Sequence, residues 1–261
     1  MSYRYGLNFQ VFEPYNMEWP DNLPKSSEFP TVSVVTPTYN RRKFLPWLIR
    51  CIQEQTYPAE RIEWLVFDDG TDRIWDLLEP HAKKMNIRYF SNEGKMNIGA
   101  KRNRLHSEAR GEIIVVMDDD DYYPECRISH AVTRLKQVKG EFVGSSRNHL
   151  FFSDDKSIWE VGPYGPNHAT FGTFAFTKSL VAKTSCDESV TYAEEVSFTK
   201  QYTIPLGQLD PMKTMLVMCH SENTFNKNTL RTNFSPVVRK TNVKVKTIVK
   251  NKQMRDFYSN A

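Results

Sequence analysis

Four consecutive aspartates, Asp118 to Asp121, follow the aliphatic run Ile113 to Met117, and a second acidic pair, Asp68-Asp69, ends the apolar run that begins at Ile62. Carboxylates gathered at neighbouring strand ends repel, by roughly 4 kcal/mol for two charges 4 Å apart at an effective dielectric near 20. A divalent cation relieves that repulsion, and an all-oxygen site selects Mg²⁺, Mn²⁺ or Ca²⁺ over zinc. An EF-hand is excluded, because the sixth position from Asp118 is Tyr123 rather than glycine. The opposite charge comes from Arg102. Ile98, Arg102, Leu105 and Ala109 recur at helical spacing, which puts Arg102 on the apolar stripe near the start of a helix. Helix N-termini favour phosphate, so an inward arginine beside a metal describes a diphosphate site. Lys95 and Lys101 could add positive charge, but nothing in the pattern separates them from surface lysines. Neither Gly-x-x-x-x-Gly-Lys-Ser/Thr nor Gly-x-Gly-x-x-Gly occurs, which argues against a P-loop or dinucleotide fold.

The elements that must hold these residues are regular from Thr31 onward. The run Val32 to Thr36 is followed by an amphipathic helix (Phe44, Leu45, Leu48, Cys51, Ile52). Ile62 to Phe67 is followed by a helix over 74–84, Ile87 to Phe90 by the helix of Arg102, and Ile113 to Met117 by the aspartates. The last run is apolar at every position, as in an inner strand of a parallel sheet. Four strand–helix repeats predict an α/β fold with a mostly parallel sheet flanked by helices. Ligands of such sheets lie beyond the carboxyl ends of the strands, which here are Thr36 to Asn40, Asp68 to Gly70 and the aspartate run. After a helix ending at Gly140, short aromatic and β-branched runs predict a smaller mixed or antiparallel half. A helix over 192–202 and a strand over 214–219 complete it.

The string Val32-Ser33-Val34-Val35-Thr36-Pro37-Thr38-Tyr39-Asn40-Arg41 resembles the opening strand of glycosyltransferase family 2. Phe67-Asp68-Asp69-Gly70, Gly99-Ala100-Lys101-Arg102-Asn103 and Met117-Asp118-Asp119-Asp120-Asp121 are similar to its next three landmarks, in order. The resemblance covers residues 31–125 well and 126–224 loosely. It implies a GT-A fold and metal-dependent transfer of a sugar, of the hexosyltransferase class, from a nucleotide diphosphate donor to an acceptor hydroxyl with inversion. Carried over residue by residue, it assigns Thr36, Pro37, Thr38 and Tyr39 to the base pocket, with Tyr39 stacking. Asp69 accepts a hydrogen bond from uracil, and Arg102 contacts the nucleotide. The aspartate run matches the Asp-x-Asp motif, with Asp118 towards the ribose, Asp119 beside it and Asp120 on Mn²⁺ or Mg²⁺. The register is open by one residue, so Asp119 and Asp121 are also candidates for the metal. A late carboxylate pair is matched by Glu194-Glu195. Helical phase turns Glu195 inward as the base and Glu194 outward to assist the acceptor, with glutamate standing where the family has aspartate. A late histidine is matched by His220, as a further metal or diphosphate contact. Trp159 and the stretch Phe171 to Phe176 are candidates for an acceptor platform.

The resulting organisation is an aromatic and proline-rich arm over 1–30, a catalytic domain over 31–224 divided at 125/126, and a basic extension over 225–261. The whole chain of 261 residues has a net charge of +4, yet the extension holds nine basic residues and one acid. The other 224 residues therefore carry −4. The alternation Val243 to Ile248 predicts an edge strand there, and the basic extension offers contact with anionic lipid. Four cysteines with no short spacing, and no apolar run of membrane length, fit a soluble cytoplasmic protein. The expected partners are a UDP-linked nucleotide sugar and a glycan, glycoprotein or glycolipid acceptor, without nucleic acid; self-association is left open. Two other readings compete. One is an aspartate-nucleophile phosphohydrolase, and the other is a catalytically silent nucleotide-sugar binding module.

Overall fold

The computed structural model describes residues 28–223, 225–232 and 235–261. The arm expected over 1–30 lies outside them except for its last three residues. The first half runs β1 (Val32–Thr38), α1 (Leu45–Gln53), β2 (Ile62–Asp68), α2 (Trp75–Leu78), β3 (Ile87–Ser91), α3 (Ile98–Glu108) and β4 (Ile113–Val116). Then come α4 (Arg127–Val138), β5 (Phe142–Gly144), β6 (Asn148–Phe152), β7 (Ser157–Val161), β8 (Ala175–Thr177), α5 (Glu195–Phe198), β9 (Gly207–Gln208) and β10 (Leu216–Cys219). The chain closes with α6 (Asn228–Thr232), β11 (Val238–Lys240), α7 (Val245–Ile248) and α8 (Lys252–Tyr258).

Seven strands form one sheet in the order β3-β2-β1-β4-β8-β5-β9, of which β3, β2, β1 and β4 are mutually parallel. β8 runs antiparallel to both β4 and β5. A second, mixed sheet has the order β10-β6-β7-β11. The expected α/β architecture, parallel first and mixed later, is therefore observed. Every residue of β1, β2 and β4 is buried, as inner strands require. Their side chains alternate between two cores. Val34, Val66 and Val115 face α1, α4 and the C-terminal segment, while Val35, Leu65 and Val116 face α3 and the Phe171–Phe176 stretch.

Local chemistry explains where elements differ from expectation. Pro80 follows the single turn of α2, so the helix expected over 74–84 continues only as a 3₁₀ turn. The helix expected over 192–202 is also reduced to one turn, because Lys200, Gln201 and Tyr202 all adopt positive φ. Arg127 is wholly buried, and its Nη2 donates to the carbonyls of Val116, Thr173 and Phe174, pinning the end of β4 to the stretch that leads into β8.

The basic C-terminal segment is part of the fold. β11 pairs antiparallel with β7, and Ile248, Val249, Met254 and Tyr258 enter the core beneath β1 and β4. The edge strand expected over Val243–Ile248 is instead a turn of helix with Ile248 buried. Tyr122 Oη donates to the Ile248 carbonyl and Tyr258 Oη to that of Asp121, both at 3.3 Å, so this segment buttresses the aspartate run from behind. Met254 is fully buried in the same core. Met254→Ala is expected to cost about 2–5 kcal/mol and to lower the urea midpoint of the whole fold, followed by circular dichroism and tryptophan fluorescence. A segment that merely leaned on the domain would leave that midpoint unchanged.

Candidate active site

The strand order reverses between β1 and β4, the place where open α/β sheets form their crevice. A cavity of about 490 Å³ opens there, beyond the carboxyl ends of both strands. Pro37, Thr38 and Tyr39 line it, but Thr36 does not. The Thr36 hydroxyl donates to the Met117 carbonyl at 2.7 Å and accepts from Trp64 Nε1 at 2.9 Å, so it ties the two strand ends together inside the core. The expectation that Thr36 faces a base is corrected on that ground. Tyr39 presents its ring to the cavity, with Lys95 Nζ 4.4 Å from the ring centroid.

Lys101, unremarkable in the sequence, is buried. Its Nζ reaches Asp69 Oδ1 at 2.8 Å and the Thr38 carbonyl at 3.3 Å. Met96 N–H donates to the other Asp69 oxygen at 2.6 Å. Both oxygens of Asp69 thus serve protein donors, and Asp69 does not line the cavity, contrary to its expected role as acceptor of a base proton. In this structure Asp69 fixes Lys101, and Lys101 is the group presented. A signal for it was available, since Ile98, Lys101 and Leu105 also fall at helical spacing. Gly99, in the first turn of α3, lies against the Asp187 carbonyl, and any Cβ there would collide with it. The start of the helix is therefore packed closely against the loop preceding α5.

The four aspartates diverge in role. Asp118 Oδ1 meets Arg102 Nη1 at 2.8 Å, and its backbone N–H donates to Tyr123 Oη at 2.6 Å. Gly172 leaves room for it, since a Cβ there would lie 2.9 Å from Asp118 Oδ2. Burial and then the charge of Asp120 push the Asp119 carboxyl up to about 8. Burial and Asp120 likewise raise Asp121, which accepts the Met218 N–H at 2.8 Å. Burial acts on Asp120 as well, but the His220 hydrogen bond, with Lys227 and Arg41 nearby, outweighs it and holds the carboxyl down to about 2. Asp120 Oδ2 lies 3.2 Å from His220 Nε2, 3.3 Å from Asn223 Nδ2 and 3.9 Å from Arg41 Nε. The His220 ring is packed on Phe44, which in turn meets Phe257 of α8. Arg41 and Asn223 were not foreseen as site residues, because only the fold brings residues 41, 120 and 223 together.

Arg102 is the hinge of the arrangement. Its Nε meets Glu194 Oε1 at 2.7 Å while Nη1 holds Asp118, and its guanidinium covers the Phe171 ring at 4.1 Å. Burial would weaken its hold on its proton, but the charges of Asp118 and Glu194 more than reverse that. The expected phase of the late carboxylates is inverted. Glu194 is buried and Glu195 half-buried, although both line the cavity. The reason is Ala193, whose φ of 59° breaks the helical phase just before Glu194. Burial raises the Glu195 carboxyl above the usual range, with the neighbouring charge of Glu194 adding to it.

Of the expected acceptor platform, Phe171 lines the cavity, whereas Phe174 and Phe176 are core residues. Trp159 packs in the separate core of the second sheet and donates to Ser157. Among the described residues no three acidic, histidine or cysteine side chains converge into a ready cation cage. The donor chemistry nevertheless fits a hard divalent ion. Asp120 is held ionised beside a histidine, and Asp118, Asp119 and Asp121 line the same cavity next to it. No helix among the described residues is long and apolar enough to cross a membrane.

Comparison with known proteins agrees with this geometry. The chain is 33% identical over 92 residues to the poly(ribitol-phosphate) beta-N-acetylglucosaminyltransferase TarS of Staphylococcus aureus, a match covering 34% of the chain but only 16% of that protein. It is 28% identical over 114 residues to the dolichol-phosphate mannosyltransferase of Pyrococcus furiosus, covering 44% of the chain and 32% of that protein. The chain thus spans well under half the length of these curated relatives. Among solved structures, TarS residues 1–349 in complex with UDP-GlcNAc superimposes with a TM-score of 0.60 at 19% identity, over 77% of this chain and 65% of that one. The mannosyltransferase PcManGT of Pyrobaculum calidifontis, in complex with GDP-Man and Mn²⁺, gives 0.61 at 18% identity, over 83% and 64%. These likenesses establish the GT-A fold. The profile of Glycosyl transferase family 2 matches residues 33–177, more than half of the chain, and the chain belongs to that family.

Proposed function

We propose that the cavity binds a UDP-sugar and transfers the sugar, with inversion, to an acceptor hydroxyl. The observation that carries the reading is one continuous cavity lined by Tyr39, Lys101 and Arg102, by the aspartate run, and by Glu194 and Glu195. The base stacks on Tyr39, and Lys95, already on that ring, shifts or shares it. Lys101 and Arg102 supply fixed positive charge where the diphosphate develops negative charge as the glycosidic bond breaks. Asp120 and His220 would hold a Mn²⁺ or Mg²⁺ ion, which supplies electrostatic stabilisation of the departing diphosphate. The choice of a divalent cation is supported by PcManGT, whose structure carries GDP-Man and Mn²⁺, and the UDP assignment by TarS, seen with UDP-GlcNAc.

Glu195 is the base of this reading. It is half-buried, faces the cavity, and is free of the Arg102 contact that engages Glu194, so its raised carboxyl can take the acceptor proton. Glu194 holds Arg102 and, through it, Asp118. A panel of UDP-sugars and GDP-mannose incubated with the protein and Mn²⁺ tests the donor: slow hydrolysis of a UDP-sugar is expected, and no turnover or binding of any donor would contradict the reading.

Glu195→Gln is expected to lower turnover by about 10²–10⁴-fold while leaving UDP affinity intact. The same base fixes the sign of the pH dependence. Its folded-state pKa lies above the ordinary 4.5, and the deprotonated form acts, so the acid limb of kcat should fall away at a pH higher than 4.5 as pH is lowered. An acid limb at or below 4.5 would assign the proton elsewhere. For the cation, wild-type protein should gain thermal stability from UDP with Mn²⁺, by about 2.7 kcal/mol at a hundredfold excess over Kd. Asp120→Asn should abolish the Mn²⁺-dependent part of that gain, and an unchanged gain would remove Asp120 from the metal.

A further inference from the structure

One oxygen of Asp120 gathers three nitrogen groups. Oδ2 lies 3.2 Å from His220 Nε2, 3.3 Å from Asn223 Nδ2 and 3.9 Å from Arg41 Nε. Asn223 Nδ2 is also 3.0 Å from His220 Nε2. The amide nitrogen, the carboxylate oxygen and the imidazole nitrogen therefore form a nearly equilateral triangle. The amide is oriented from its other end, because Asn223 Oδ1 accepts the His220 backbone N–H at 2.9 Å. Turned over, it would set an oxygen against the Asp120 carboxylate and an N–H group against the His220 N–H. The nitrogen is the atom that faces Asp120.

The histidine has no second direction to offer. An imidazole nitrogen bonds along one line in the plane of its ring. The His220 ring is packed on Phe44 with centroids 4.6 Å apart, Nδ1 accepts the Glu222 N–H at 3.3 Å, and the side chain is only 1% exposed. Nε2 is thus directed at the corner that Asp120 and Asn223 share. Mg²⁺ bonds its ligands at about 2.0–2.1 Å, so an ion held by both Asp120 Oδ2 and His220 Nε2 takes the place of the Asn223 amide nitrogen. The turn that carries Asn223 is itself held shut. Asn223 N–H donates to the His220 carbonyl at 3.3 Å, and Arg41 Nη2 donates to the Glu222 carbonyl. The Glu222 carboxylate meets Arg41 Nη1 at 3.4 Å and Lys43 Nζ at 2.5 Å.

We infer that the Asn223 side chain is a built-in occupant of the cation position, which a divalent ion must displace before Asp120 and His220 can hold it together. The inference rests on the metal-dependent reading of the site and adds a gate to it. With the turn closed, the amide N–H group partly compensates the Asp120 charge and keeps that carboxylate aimed at His220. Opening costs Asn223 its bonds to Asp120 and to the His220 backbone, so cation affinity depends on the turn after β10 as well as on the ligands. Arg41 and Lys43 tie that turn to the loop after β1, which also carries Tyr39.

The test titrates Mn²⁺ into the full chain, with and without UDP, and counts the free ion by its electron paramagnetic resonance signal. Asn223→Ala should bind Mn²⁺ about threefold to tenfold more tightly than wild type, the range of one hydrogen bond that no longer has to be broken. Asn223 lies in a partly exposed turn, and circular dichroism checks that the variant keeps its fold. Nitrogen-resolved NMR gives a second reading. The side-chain amide pair of Asn223, identified by its absence from the spectrum of Asn223→Ala, should shift saturably as Mg²⁺ is added. The backbone amide of His220 should move with the same midpoint as its acceptor leaves. An affinity that is unchanged or lower in Asn223→Ala would overturn the inference, because the amide would then be a bystander or a support for the bound ion. So would Asn223 resonances that stay fixed through Mg²⁺ saturation. If neither protein binds Mn²⁺, with or without UDP, the cation reading of Asp120 and His220 fails and takes the gate with it. Binding by the variant alone upholds both.

Discussion

A guanidinium whose side chain is only 5% exposed sits between two carboxylates that come from opposite halves of the chain. Arg102 cannot be buried alone, since an unpaired charge in such surroundings costs several kcal/mol. It therefore requires Asp118, carried by the loop after β4, and Glu194, carried by the residue before α5, to stand within bonding distance together. That requirement closes the mixed half of the molecule onto the parallel half. It also places the neighbours of those two residues, Asp120 and Glu195, on the borders of one cavity. Phe171 beneath the guanidinium and Gly172 beside Asp118 belong to the same constraint, one covering the cation and the other leaving space for its partner.

Much of this was legible in the sequence, and the losses have identifiable causes. An aliphatic run apolar at every position marks an inner strand, so Asp118 to Asp121 had to lie at a strand end, and they do. Arg102 was legible because helical spacing put it among Ile98, Leu105 and Ala109. The same spacing includes Lys101, but a lysine on such a stripe reads as a surface residue until Asp69 is seen beside it. The Glu194–Glu195 phase was misread because it assumed an unbroken helix, and Ala193 departs from one. Val243 to Ile248 alternates like a strand, yet Val245, Ile248 and Val249 also fall at helical spacing, and the available core beneath β1 chooses the helix. The contacts of Asp120 with Arg41, His220 and Asn223 were beyond any local pattern, because they join residues separated by roughly 80 to 100 positions through tertiary structure alone.

The charge distribution takes on a structural meaning in this frame. The basic C-terminal residues are not a loose appendage, since β11, α7 and α8 supply strand pairing and core side chains to the acidic half. Lys227 lies close enough to Asp120 to help His220 hold that carboxyl down, and it opposes, without overcoming, the rise that burial and Asp120 impose on Asp121. Phe257 backs the Phe44–His220 stack, so the orientation of the histidine against Asp120 depends on the last helix. A modest overall +4 thus combines an acidic cavity with a basic segment folded against it.

The dependence on Arg102 is tested most directly by a double-mutant cycle in urea with Arg102→Met, Glu194→Gln and the two combined. If one buried cation couples the halves, the single changes are strongly destabilising, by about 3–5 kcal/mol for a broken buried pair, and the double variant loses far less than their sum. If the two losses add to within about 0.5 kcal/mol, the residues act independently and the cavity is held together by something else.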